Sequence, residues 1–217
     1  MPSEIRGRRR QSQAEATAAY ASAMALLQGP GGRPASDAMA IQRGVAALST
    51  IVGGLPRSMQ PEAHTNLGTG LSMLGRSAEA EAAYAASLAL RPSSAYVAFN
   101  LGVLCADAGR SAEAEAHYEA AASLDPGMAT AYNNLGTLLS NRDAPSEARA
   151  AFASALVADP THAQAYNNIA NMYKGEDREE EVRAPRGPRT SCERDALRAI
   201  AGGTGVRACG AHFASLP

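Results

Sequence analysis

Apolar residues recur at helical spacing through the middle of the chain. In one stretch Tyr132, Leu135, Gly136 and Leu139 occupy positions i, i+3, i+4 and i+7, which form one face of an α-helix. A second helical stretch, in which small residues surround one large ring, follows after a short break. The same pattern begins several times, so the chain is predicted to contain pairs of consecutive helices.

The breaks between helices are marked by residues that stop or restart a helix. Gly75 and Gly109 separate the two helices of the first two pairs, and the segment from Asn141 to Pro145 separates those of the third. Each pair is then closed by a proline, because proline cannot continue a helix. These prolines are Pro92, Pro126 and Pro160.

One phrase recurs at a constant spacing of 34 residues. It consists of asparagine, an aliphatic residue, and glycine or alanine, and its asparagines are Asn66, Asn100, Asn134 and Asn168. A fixed period of this length is the signature of a repeat array. Such repeats stack into an elongated solenoid whose concave face binds other molecules, so the expected role is recognition rather than chemistry.

The repeat frame divides the middle of the chain. The fourth repeat starts faithfully but fails after Val182, because Pro185 interrupts its second helix and Arg186 stands where the ring is expected. We therefore place three complete repeats and one truncated repeat at residues 61–94, 95–128, 129–162 and 163–182.

The flanks do not follow the frame. Residues 1–12 are expected to be a disordered basic tail, and residues 13–56 an alanine-rich helical pair that could be a diverged capping repeat. Two explanations compete for residues 183–217: a natural, mostly disordered terminus, or a change of reading frame near residue 182. Because the fourth repeat is truncated, self-association through its open end is also expected.

Composition narrows the class of protein. The chain has 217 residues, 46% of them hydrophobic, and a formal charge of −1, so no positive field favours a nucleic-acid partner. No run approaches a membrane span and no secretory signal is present, which favours an intracellular and cytoplasmic protein without a membrane partner. The three cysteines and four histidines form no metal or catalytic grouping, so no cofactor, metal site or catalytic residue is predicted.

The recurring residues resemble the tetratricopeptide repeat (TPR) family over about residues 61–182. The shared pattern is Leu-Gly in the first helix, then Ala-x-x-x-aromatic in the second, as at Ala80 and Tyr84, then proline. This resemblance implies an all-α fold: a right-handed α-solenoid of antiparallel helix pairs, here with disordered termini. The pattern departs from the family at His64 and Ala98, where an aromatic residue is favoured.

In a stack of this kind the first helices line the concave groove. The residues expected there are mostly amides, and an amide can pair with both the C=O and the N–H of a peptide backbone. The predicted site comprises Asn66, Asn100, Asn134, Asn168, Asn133, Asn167, Asn171 and Lys174. An asparagine ladder holding an extended peptide is one interpretation. Stabilisation of the stack through bonds to the adjacent repeat is the other, and both can hold together.

Two functions remain open. The first is a non-catalytic adaptor or scaffold that binds a protein segment in extended conformation. The second follows from the phrase Tyr-Asn-Asn-Leu-Gly, which is similar to the TPR superhelix of protein O-GlcNAc transferases. That similarity implies the substrate-recognition arm of such a glycosyltransferase without its catalytic domain. An independent enzyme is not expected.

Overall fold

The computed structural model describes residues 2–28 and 37–175, with side chains described for 11–28 and 37–172. Within these ranges every regular element is helical, which confirms the all-α prediction. In the described part no helix is both long enough and apolar enough to cross a membrane. Residues 176–217, including the predicted tail and the end of the fourth repeat, lie outside the described residues.

The chain forms two compact units, Met1–Ala108 and Gly109–Pro217. The first unit contains a short 3-10 helix at Val52–Gly54 and five α-helices: α1 Pro2–Leu27, α2 Ala38–Ile51, α3 Gln60–Met73, α4 Ser77–Leu90 and α5 Ala95–Asp107. The second unit contains α6 Ser111–Leu124, α7 Ala129–Asn141, α8 Pro145–Ala158 and α9 Ala163–Gly175. We call α3, α5, α7 and α9 the first helices, since each opens a repeat of the frame.

The N-terminal helices share the core of the first unit. Ala23 and Leu27 of α1 and Leu48 of α2 are buried in one apolar cluster with Leu67 of α3 and Leu101 of α5. The cluster is continuous because alanine, leucine and valine line the facing sides of all these helices. The helical pair therefore covers the end of the repeats within this unit.

The helix α1 is longer than the sequence predicts. It begins at Pro2, so the backbone of residues 2–12 is helical where a disordered basic tail was expected. The physical reason is local: Arg, Gln and Glu in this stretch have high helix propensity, and proline is tolerated in the first turn.

A ring on the second helix of a repeat packs directly on a glycine of the first. A Cβ added at Gly68 would lie 2.7 Å from the ring of Tyr84, and one added at Gly136 would lie 2.7 Å from the ring of Phe152. Both rings are almost fully buried. No side chain larger than hydrogen fits between these helices, so the glycine sets how closely they approach.

The turn between the two helices of a repeat uses a left-handed backbone residue. Gly75 and Gly109 have φ values of 72° and 73°, and Asp143, at the same position of the next repeat, has φ 62°. Glycine adopts this conformation without the steric cost that a Cβ brings. The third repeat thus keeps the turn geometry with a less suitable residue.

The second unit has its own core. Phe152 and Leu156 of α8 pack with Leu139 of α7 and Ile169 of α9. Tyr166 is half-buried, and its hydroxyl donates to the Pro160 carbonyl at 3.2 Å. The expected self-association through the last repeat stays a prediction.

We predict that Gly136→Ala lowers the free energy of unfolding by about 1–3 kcal/mol, because the added methyl group overlaps the buried Phe152 ring. Urea titration followed by far-UV circular dichroism measures this value. The matched control is Gly53→Ala, since a Cβ at Gly53 meets nothing within 4 Å. An equal loss in both variants would contradict the role of the ring contact.

We predict that Asp143→Gly raises the free energy of unfolding by about 0.5–1 kcal/mol, because glycine removes the cost of a Cβ at positive φ. Asp143→Ala deletes the same carboxylate but keeps a Cβ, so it should be less stable than Asp143→Gly. Equal melting temperatures for these two variants would show that backbone strain at this turn is negligible.

Candidate functional site

In each unit the candidate site is the face of the first helices that carries the repeating asparagines. We call it the asparagine face of that unit. It consists of Asn66 and Asn100 in the first unit and of Asn134 and Asn168 in the second, each with the residues three, four and seven positions away on the same helix. Because each asparagine is half-buried, each has one side toward its neighbours and one side toward solvent.

In the first unit Asn66 joins α3 to α1. Its Nδ2 donates to the hydroxyl oxygen of Tyr20 at 2.8 Å. Partial burial raises the pKa of Tyr20, and the nearby, hydrogen-bonded carboxylate of Glu62 raises it further. Tyr20, Glu62 and Asn66 therefore form one polar cluster between the two helices.

In the second unit the asparagine donors also bond to a preceding helix. Asn134 donates through Nδ2 to the hydroxyl oxygen of Tyr118 on α6 at 3.5 Å. The corresponding ring before Asn168 is Phe152, which has no hydroxyl. Asn168 instead donates to Oδ1 of Asn133 at 3.0 Å and to Oγ1 of Thr137 at 3.5 Å.

Asn100 differs from the other three asparagines. Its Nδ2 is buried and has no hydrogen-bond partner among the described residues. The ring of the preceding repeat, Tyr84, does have a hydroxyl, but that hydroxyl is paired with Oγ1 of Thr69 at 3.1 Å. No internal bond of Nδ2 therefore fixes the orientation of the Asn100 amide.

The remaining predicted site residues fall into three groups. Asn133 is 5% exposed and faces the next repeat, where it accepts the bond from Asn168. Asn167 and Asn171 are exposed on α9. Lys174 lies in the last turn of α9, and only its backbone is described. The structure thus brings Asn133 and Asn168 into contact, whereas Asn167 and Asn171 stand free in solvent.

Several residues on the asparagine face were missed from the sequence. Tyr96 is 51% exposed, and Glu62 occupies the same repeat position one repeat earlier. Met73 and Asp107 form a second such exposed pair at the other end of α3 and α5. The sequence contained the signal for these residues, because each of the four lies four or seven residues from Asn66 or Asn100 and therefore on the same face of its helix.

His64 replaces an aromatic residue in the first repeat. Its Nδ1 is buried without a hydrogen-bond partner in the described part of the chain. Burial also lowers the pKa of the imidazole, since removal from water disfavours the charged form. The described residues contain no group of three or more His, Cys, Asp or Glu side chains placed to hold a metal, so His64 is not part of such a cluster.

Comparison with known proteins identifies the repeats. Residues 65–129 and 128–157 match models of the tetratricopeptide repeat. Both segments are therefore similar to tetratricopeptide repeats, and neither model describes a glycosyltransferase. No curated protein matches the sequence.

Solved structures of TPR proteins share the fold. MamA is 19% identical, with 76% of this chain and 91% of that chain covered and a TM-score of 0.62. PilF of Pseudomonas aeruginosa is 17% identical, with coverage of 89% and 86% and a TM-score of 0.62. YrrB, described as a TPR protein with an unusual peptide-binding site, is 20% identical, with coverage of 65% and 72% and a TM-score of 0.54. The predicted TPR-type fold of stacked helix pairs is confirmed.

We predict that His64 makes the protein less stable in mild acid. Its folded pKa is lowered from about 6.5, so its contribution is present above that value and is lost as the pH falls through the folded pKa. The free energy of unfolding should fall between neutral pH and pH about 5 more steeply in the wild type than in His64→Gln. The other histidines are common to both proteins, so identical pH profiles would exclude His64 as the cause.

Proposed function

We propose that the chain is a non-catalytic adaptor or scaffold whose asparagine face binds a protein segment in extended conformation. The observation that carries this proposal is the fixed orientation of the ladder. Asn66, Asn134 and Asn168 each donate a hydrogen bond through Nδ2 to a side-chain oxygen on a neighbouring helix. Their carbonyl oxygens accept no described hydrogen bond, which leaves them as oriented acceptors for backbone N–H groups of a ligand.

Orientation before binding favours affinity. A free asparagine loses side-chain freedom when it binds, whereas an amide already fixed by one hydrogen bond loses less. Within one unit, helices that pack side by side stand about 10 Å apart, and an extended peptide advances ~3.3 Å per residue. One asparagine can therefore serve roughly every third residue of a ligand, which supports recognition of backbone rather than of one particular sequence.

Asn100 has the complementary role in this proposal. Because its Nδ2 has no partner within the described residues, rotation about χ2 can exchange the amide nitrogen and oxygen without breaking a bond of that nitrogen. A rotated Asn100 donates to a ligand carbonyl. The first unit then offers one acceptor and one donor, and the second unit offers two acceptors.

The choice of a peptide over other ligands rests on charge and on relatives. In the second unit, the described side chains of α7 and α9, which form the asparagine face, are uncharged, which disfavours nucleic-acid phosphates. A peptide-binding site is named for YrrB, a protein of the same fold. By likeness, we infer a protein partner for this chain.

The test compares asparagine variants on an array of neutral, extended peptides and then measures Kd for each hit by fluorescence polarisation. Asn100→Ala/Asn134→Ala should weaken binding about 5- to 150-fold, from two hydrogen bonds of about 0.5–1.5 kcal/mol each. Gln42→Ala, on the exposed side of α2, is the control and should bind as the wild type does. Unchanged Kd for every hit would assign the asparagines a structural role alone.

Aspartate variants separate the two proposed roles. Asn134→Asp keeps an acceptor for the ligand and can accept from the Tyr118 hydroxyl, so neutral peptides should still bind. Asn100→Asp removes the proposed donor and places a carboxylate beside the ligand carbonyl, so binding should be lost. Equal effects of the two substitutions would contradict the division into acceptors and donor.

A further inference from the structure

The asparagine face of the first unit differs in chemistry from that of the second. On α5 it carries Tyr96, which is 51% exposed, with Phe99 and Val103, which are half-buried. Met73 on α3, 42% exposed, adds a flexible apolar side chain. At the positions of Tyr96, Phe99 and Val103, α7 has the uncharged polar residues Thr130, Asn133 and Thr137.

Two exposed carboxylates lie at the ends of the helices that carry this apolar surface. Glu62 is exposed beside Tyr20 and Asn66, and Asp107 is exposed at the end of α5. Glu62 and Tyr96 occupy the same position of successive repeats, as do Met73 and Asp107. The helices α3 and α5 contain no lysine or arginine, so no cation on these helices neutralises the two carboxylates.

We propose that the asparagine face of the first unit selects a peptide segment in which an apolar side chain lies next to lysine or arginine. This inference rests on the proposed function, since it names the ligand of the same face. The apolar side chain packs on Phe99, Val103 and Met73. The adjacent cation lies between the Glu62 carboxylate and the ring of Tyr96.

Both contacts of the cation have a physical basis. An ammonium or guanidinium group is attracted to the face of an exposed tyrosine ring, and a carboxylate nearby adds a direct ion pair. An acidic segment or a free C-terminal carboxylate meets repulsion instead. Because both carboxylates are exposed, we expect a modest effect of about 3- to 10-fold in Kd rather than an all-or-none selection.

The experiment uses three capped peptides of equal length that differ at two positions only. One carries Leu-Arg at those positions, one Leu-Gln and one Leu-Glu, on an otherwise neutral and extended background. Fluorescence polarisation with the full chain, at low and high salt, gives Kd for each. We expect the order Arg, then Gln, then Glu from tightest to weakest, with the differences reduced at high salt.

Variants locate the effect. Glu62→Gln/Asp107→Asn should bring the Arg and Gln peptides to similar Kd, while the Gln peptide binds as before. Tyr96→Ser should weaken the Arg peptide more than the Gln peptide. The control Glu119→Gln removes an exposed carboxylate from α6 and should leave all three Kd values unchanged.

The outcomes distinguish this inference from the proposed function. Equal Kd for the three peptides, with binding still weakened in Asn100→Ala/Asn134→Ala, would overturn the selectivity and leave peptide binding in place. The same holds if Glu119→Gln abolishes the preference for Arg as fully as the double variant does. Failure of all three peptides and of the wider array to bind would overturn the proposed function itself.

Discussion

The structure depends on the contact between a ring on the second helix of a repeat and a glycine on the first. At Gly68 and Gly136 the ring occupies the space where any Cβ would stand. The ring therefore fills the wedge between the helices and fixes their separation at the short end of the usual range. Since Tyr84 and Phe152 are nearly fully buried, the same contact forms the centre of the core in these two repeats.

The chemistry of the ring decides where the asparagines bond. Tyr118 presents a hydroxyl that Asn134 uses, whereas Phe152 has none and Asn168 turns to the first helix of the preceding repeat. Tyr84 has a hydroxyl already paired with Thr69, and there the amide nitrogen of Asn100 is left without a partner among the described residues. The asparagine therefore has different surroundings in each of these repeats. The ring before it either lacks a hydroxyl or has a hydroxyl that accepts from the asparagine or is paired with a threonine.

Much of the fold was predictable from the sequence. The 34-residue period and the helical spacing of apolar residues indicated paired helices, and α5, α7 and α9 begin at Ala95, Ala129 and Ala163, the first residues of the predicted repeats. These features depend on residues that are close together in the chain, so they can be recognised from the sequence alone. The helical backbone at residues 2–12 was missed, since a cluster of arginines suggests a solvated tail although arginine favours a helix.

The hydrogen-bond partners of the site residues were harder to predict from the sequence. Tyr20 and Asn66 are 46 residues apart, which is not a multiple of the repeat, so no register argument joins them. The exposed pairs Glu62 with Tyr96 and Met73 with Asp107 follow the frame, yet their importance appears only when burial is known. The recurring phrase indicated the asparagines as site residues. The positions beside them vary from repeat to repeat, and these positions make the chemistry of the two units different.

In the proposed function the amides of the asparagine face contact the ligand backbone. Side-chain amide resonances of ¹⁵N-labelled protein, recorded during titration with a neutral extended peptide, test it directly. We predict the largest shift for the NH₂ group of Asn100, with smaller shifts for Asn66 and Asn134, whose amide nitrogens remain hydrogen-bonded to Tyr20 and Tyr118. Unchanged asparagine side chains, together with shifts confined to α4 and α8, would contradict it.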